Sequence, residues 1–200
     1  VFSGLMRTDA EGKLVPDLAE SYRISDDGKT YDFTLHQGIV WHDGVAFSPQ
    51  DVIDTVAAIK NQAWKSPLAA QFKNVTVEAD GERGVRFTLA DPFAPFLAMT
   101  TVGIIPSHLW QEISPDNAAR AELNLKPVGT GPFKFKNFTK DKKGEIKTYT
   151  LARNDGYYGE KAKLSTVTFK YFPDFSSAAD ALAGKRVDGI SFLPLEYRKQ

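Results

Sequence analysis

Two stretches of strict two-residue alternation flank one capped amphipathic helix, and that order points to a domain mixing strands and helices. Tyr31, Phe33 and Leu35 alternate with Thr30, Asp32 and Thr34, the period of a strand with one buried face. Ser25-Asp26-Asp27-Gly28-Lys29 precedes them. Asp can bond the backbone ahead of it and Gly accepts a positive φ, so this segment predicts a turn and, with the strand, a hairpin. Val75 and Val77, then Val85, Phe87 and Leu89, repeat the pattern around Asp80-Gly81-Glu82-Arg83-Gly84. Between the hairpins, Ser48 suits a helix N-cap, Pro49 the first helical position, and Asp51 the positive helix end. Val52, Val56 and Ile59 form one apolar stripe, which predicts a helix over 49–61.

The remaining signals are shorter. Asp91-Pro92-Phe93-Ala94-Pro95-Phe96-Leu97 should turn the chain into a short helix, and Ile104-Ile105-Pro106 should end a buried extended stretch before a helical start at Ser107. Ser114 to Lys126 is polar and expected at the surface. After Pro132, Phe133 and Phe135, Tyr149 and Leu151, and Val167, Phe169 and Tyr171 read as three strands whose aromatics face a core. A last helix is predicted from Ser176 to Ala183, stopped by Gly184. Trp64, in the loop Trp64-Lys65-Ser66-Pro67-Leu68, reads either as a core anchor or as part of a binding wall.

Composition removes several function classes. Lys+Arg and Asp+Glu are 25 each over 200 residues, so the chain lacks the basic excess of a nucleic-acid or anionic-membrane binder. Lys134, Lys136, Lys140, Lys142, Lys143 and Lys147 surround an expected hairpin and read as a solvated strand face. The absence of cysteine excludes disulfides, thiolate chemistry and Cys-based zinc sites. No apolar run approaches the roughly 18 residues of a membrane span. The chain opens on Val1-Phe2-Ser3-Gly4-Leu5 without a charged leader region, which suggests a domain fragment.

Catalytic and metal-binding patterns are weak. His36, His42 and His108 form no spacing that would put two ligands on one helix face. His42 beside Asp43 could be an acid–base pair, but Trp41 and Gly44 around it fit a structural turn better. No Gly-x-Ser-x-Gly elbow accompanies the serines, and no carboxylate pair stands out for glycosidase chemistry. Gly129-Thr130-Gly131 is followed by Pro132, which lacks the N–H a phosphate would need. A tight corner that exposes backbone amides to a cleft is the better reading. These residues support neither enzyme activity nor a metal or other cofactor.

Taken in order, Phe2-Ser3-Gly4-Leu5, Pro16-Asp17-Leu18-Ala19-Glu20-Ser21, Trp41-His42-Asp43-Gly44, Ser48-Pro49-Gln50-Asp51-Val52, Ile105-Pro106-Ser107-His108, Pro127-Val128-Gly129-Thr130-Gly131-Pro132, Arg153-Asn154-Asp155-Gly156-Tyr157-Tyr158 and Ala181-Leu182-Ala183-Gly184-Lys185-Arg186-Val187-Asp188 resemble the family 5 extracellular solute-binding proteins. These are the peptide- and nickel-binding subunits of bacterial ABC importers. The family commonly has Asn-Pro where this chain has Asn154-Asp155, and Trp where it has Tyr158. The resemblance implies an α/β (α+β mixed) fold of the periplasmic binding protein-like type II kind, here a first-lobe fragment with a mixed sheet and flanking helices. Residues 1–126 would form a small subdomain of lobe I, with hairpins plus the helix over 49–61. Residues 127–200 would form part of the main lobe I sheet leading to the hinge, with the second lobe absent.

By the same resemblance, the intact protein would capture a solute between two lobes and deliver it to an ABC transporter permease. A di- or oligopeptide is the expected solute, with nickel chelates, oligosaccharides or opines as other members' ligands. The location would be periplasmic or extracellular, membrane-associated through the permease or a lipid anchor outside this segment. Candidate ligand-binding residues are Trp64, Leu68, Thr130, Gly131, Ser191 and Phe192. Leu68 aligns where peptide-binding relatives can place an aromatic, and Ser191 and Phe192 with the stretch lining the cleft near the hinge. The alternative reading is a ligand-sensing domain of a transcriptional regulator.

Overall fold

The computed structural model describes residues 1–192 and 194–197. Its strands are β1 (Met6–Thr8), β2 (Leu14–Pro16), β3 (Ala19–Ile24), β4 (Thr30–Leu35), β5 (Val75–Asp80), β6 (Gly84–Leu89), β7 (Phe133–Lys140), β8 (Ile146–Arg153) and β9 (Thr166–Lys170). Its helices are α1 (Pro49–Lys60), α2 (Ala69–Phe72), α3 (Phe96–Met99), α4 (Ser107–Trp110) and α5 (Phe175–Ala183), with 3₁₀ turns at Gln62–Trp64, Pro115–Arg120, Glu122–Asn124 and Leu195–Tyr197. The chain divides into two compact units. One comprises residues 1–135 and 153–163, the other 136–152 and 164–200.

The first unit is built on a four-stranded antiparallel sheet in the order β3-β4-β6-β5. Both expected hairpins are present, and their alternation sets the buried face. Tyr31, Phe33 and Leu35 of β4 and Val85, Phe87 and Leu89 of β6 all point into the core. Phe33 meets Phe87 edge-on at 5.7 Å between ring centroids, and Phe96 of α3 closes on Tyr31 at 4.7 Å and on Phe87 at 5.4 Å. Such tilted arrangements are the favoured ones for aromatic pairs. Helix α1 contributes Val52, Val56 and Ile59 to the same core, together with Phe72 of α2 and the buried Leu5, Leu18, Trp41 and Ile104.

Asp51 orders the start of α1 and more besides. Its Oδ2 accepts the Ser48 N–H at 2.9 Å, closing the capping box. Its Oδ1 accepts the Ser107 N–H at 2.9 Å, anchoring α4 from 56 positions away. One turn on, the Thr55 hydroxyl donates to Asp51 O and accepts the Ile105 N–H. Asp51 is only 4 % exposed, so few waters can replace these bonds.

In the second unit β9 pairs antiparallel with β8, and the sheet order is β7-β8-β9. Helix α5 starts one residue before the predicted position, because Asp174 is its N-cap and accepts the Ser177 N–H at 2.7 Å. At the other end Gly184 keeps an ordinary φ of −78°, and Lys185 takes the left-handed conformation at φ 54°. Phe169 and Tyr171 depart from expectation, being 49 % and 53 % exposed. Within this unit the buried residues of α5 are Ala178 and Ala181. Among the described residues no helix is long and apolar enough to cross a membrane.

Replacing Asp51 with Ala leaves buried N–H groups without their acceptor. Urea unfolding of Asp51→Ala should show a loss of about 2–4 kcal/mol. A loss under about 0.5 kcal/mol, the range of an ordinary surface change, would contradict the role given to this carboxylate.

Candidate functional site

The corner at residues 129–132 is held from three directions. The turn at Trp41-His42-Asp43-Gly44 closes through Gly44 N–H to Trp41 O at 2.9 Å, with Gly44 at φ 91°, and it aims His42 at the corner. The His42 N–H donates to Gly129 O at 2.9 Å, while the Gly129 N–H donates to His42 Nδ1 at 3.1 Å. An accepting Nδ1 puts the ring proton on Nε2, which lies 2.9 Å from Gly131 O and donates to it. Asn154 Nδ2 donates to the same oxygen at 3.1 Å, and the Gly131 N–H donates to Val1 O at 2.7 Å. A Cβ at Gly131 would stand 2.5 Å from Val1 O, so the close approach itself requires glycine.

The amides of Gly129 and Gly131 therefore serve the fold and do not face a cleft. Thr130 is fully buried at 0 % exposure. Asp43 turns to His108, accepting from Nε2 at 2.8 Å, so the pair considered with His42 is not formed. Another polar residue is similarly occupied: in a cleft of about 650 Å³, Asp17 Oδ1 accepts the hydroxyls of Tyr157 at 3.3 Å and Tyr158 at 2.6 Å. Burial, and then the bond to Asp17, push the Tyr158 hydroxyl far above its usual range. Among the described residues no three His, Asp or Glu side chains come together as a metal site.

Trp64 and Leu68, by contrast, meet at an open recess of about 390 Å³. Asn61 positions the approach, its side chain accepting the Ala63 N–H at the start of the 3₁₀ turn that carries Trp64. Lys65 then reverses the chain in the left-handed region at φ 53°, and the Ser66 hydroxyl accepts the Leu68 N–H at 3.2 Å. Leu68 leads into α2, whose Phe72 is sunk in the core. Trp110 of α4 packs on Trp64 at 5.4 Å between ring centroids. Phe2, Ile59, Val102, Ile105, Leu123 and Pro127 complete most of the apolar wall.

Ser191 and Phe192 belong to the second unit. Phe192 is 64 % exposed, with its ring 6.0 Å from that of Phe175. The structure thus brings Trp64 and Leu68 together, buries Thr130 and Gly131 in the corner, and leaves Ser191 and Phe192 exposed on the other unit. Sequence reasoning missed Trp110, although a third Trp, following the apolar Ile104-Ile105-Pro106 segment, was a usable signal.

Residues 13–200 match the model of the bacterial extracellular solute-binding proteins, family 5 Middle. The chain belongs to this family. The dipeptide-binding protein of Escherichia coli is 31 % identical over 82 % of this chain and 34 % of its own length. The oligopeptide-binding protein AppA of Bacillus subtilis is 29 % identical over 99 % of this chain and 36 % of its own. Its structure with a nonapeptide superposes at a TM-score of 0.84, covering 94 % of this chain and 37 % of that one. NikZ of Campylobacter jejuni, solved with Ni(L-His), also reaches 0.84, at 35 % identity over 94 % of this chain and 36 % of its own. The chain spans about a third of the length of these family 5 relatives, and its α/β fold is theirs.

The corner should make stability depend on pH. Burial lowers the pKa of His42 below its usual 6.5, with a smaller contribution from Lys134 in the same direction, while the Gly131 carbonyl and Asp43 oppose it. The unfolded chain takes up the proton first. The stabilising contribution is complete above the unfolded value and is lost as pH falls through the lower folded value. Melting curves from about pH 8 to about pH 5 should fall more steeply for the wild type than for His42→Gln, which keeps one donor and one acceptor. Parallel curves would contradict the neutral-imidazole assignment.

Proposed function

We propose that this chain is part of the substrate-binding component of an ABC importer, which captures a di- or oligopeptide outside the cytoplasm between two lobes and hands it to the permease. The observation that carries this reading is the open recess between Trp64, Leu68 and Trp110, on a unit whose buried carboxylate and imidazole groups are engaged in holding the fold. A preformed apolar hollow with no reactive group beside it suits capture and release, not bond making. Family membership supplies the setting, since family 5 proteins are extracellular solute-binding proteins. Two of the relatives are named for a dipeptide and an oligopeptide. Closure of the lobes over the solute would be a hinge motion, and the closed form would be the one the permease recognises. The protein would sit in the periplasm or at the outer surface of the membrane, and its function would involve no covalent step.

A ligand that binds the folded state alone raises stability by about 2.7 kcal/mol when present at 100 times its Kd. Thermal denaturation of the longer protein carrying this chain should therefore shift upward by several degrees with a pool of short peptides. Nickel chelates, sugars and opines serve as the comparison. A shift with one of those and none with any peptide would overturn the peptide reading.

A further inference from the structure

We propose that the recess between Trp64, Leu68 and Trp110 accepts an uncharged apolar group of the captured solute and excludes charged ones. This selectivity rests on the solute-binding reading above and goes beyond it, because it assigns a chemical preference to one hollow. No charged residue lines the recess. Its hydroxyl and amide side chains each make a bond within the fold. The Thr55 hydroxyl donates to Asp51 O and accepts the Ile105 N–H, Ser66 Oγ accepts the Leu68 N–H, and Asn124 Nδ2 donates to Ala118 O at 2.7 Å. A carboxylate or ammonium entering here would lose hydration without gaining an ionic partner, a net cost. An aliphatic or aromatic group would instead gain contact with the faces of two tryptophans and with Leu68.

About 390 Å³ falls within the range of ligand pockets, about 300 to about 1,000 Å³, so the recess has room for a bulky side chain. Asp54 and Gln111 border a separate hollow, also lined by Trp64 and Trp110. Asp54 accepts amide protons from both Gln50 and Gln111, each through a different carboxylate oxygen. Trp64 and Trp110 thus line both hollows, and the one charged residue lies in the second.

The test uses the longer protein that carries this chain, in a nitrogen–proton NMR spectrum where the indole N–H signals of Trp41, Trp64 and Trp110 are assigned by the loss of each on substitution by Phe. Trp41 is buried in the core and does not line the recess, so it reports on folding. The probes are N-acetyl-phenylalaninamide and N-acetyl-leucinamide against N-acetyl-lysinamide and N-acetyl-glutamate amide. The apolar pair should produce saturable shifts at Trp64 and Trp110 with Trp41 unmoved. The charged pair should bind about tenfold more weakly or worse, because neither gains a partner for its charge. Leu68→Glu should abolish the apolar response with Trp41 still in place, while Trp64→Phe should retain a response at Trp110.

Equal shifts from charged and apolar probes, or none at Trp64 and Trp110 from any probe, would overturn the proposal. Failure of the peptide reading looks different. There the longer protein is stabilised by no peptide at all, whereas stabilisation by peptides regardless of their side chains would sink only the selectivity proposed here.

Discussion

The first unit depends on a neutral imidazole held between two peptide groups. His42 accepts from Gly129 through Nδ1 and donates to Gly131 through Nε2, a pairing that a doubly protonated ring could not make. With the corner fixed, Gly131 and Asn154 hold their neighbours: the Gly131 N–H binds Val1 O, and the Asn154 N–H binds Pro132 O. The segment after Val1 is then threaded through the core. Gly4 O accepts from Leu18, Ser3 O accepts from Ile104, and the Met6 N–H donates to Thr100 O. The recess inherits its walls from this arrangement, because Phe2, Val102, Gly103, Ile105 and Pro127 all lie on the threaded pieces or beside them.

Asp51 provides the second tie. Through Ser48 and Ser107 it joins the start of α1 to α4, and through the neighbouring Thr55 it fixes Ile105. Trp110 sits at the end of α4, so the position of one recess wall is set by a carboxylate on a different helix. Buried polar groups are costly unless bonded, and here the bonds they make fix how distant segments meet. Asp17 with Tyr157 and Tyr158, and Asp43 with His108, follow the same logic at the edges of the unit. Chemically, these groups act as ties, and the recess beside Trp64 and Trp110 is lined without a charged residue.

Much of the fold was legible because it is local. The alternation in β4 and β6 and the Ser48-Pro49-Gln50-Asp51 start of α1 are patterns a few residues long, and the period of each names its element. The aromatic phase of β9 was legible as a strand but not as exposed, since burial of Phe169 and Tyr171 depends on what covers the sheet. The stop of α5 at Gly184 was legible too, since Gly184 is its C-cap.

The site was legible only in part, for the same reason. Trp64 and Leu68 share a loop, so sequence could pair them. Their partners come from four other places in the chain, near residues 2, 55–59, 102–110 and 123–127, and no periodic signal joins such segments. Thr130 and Gly131 carried a recognisable motif whose groups proved to be turned inward. The central claim is that a solute reaches the surface made by Trp64, Leu68 and Trp110. A crystal structure of the longer protein with a bound peptide measures this directly. An apolar side chain within about 4.5 Å of the Trp64 and Trp110 rings is the predicted result; a bound peptide that touches none of these three residues would contradict it.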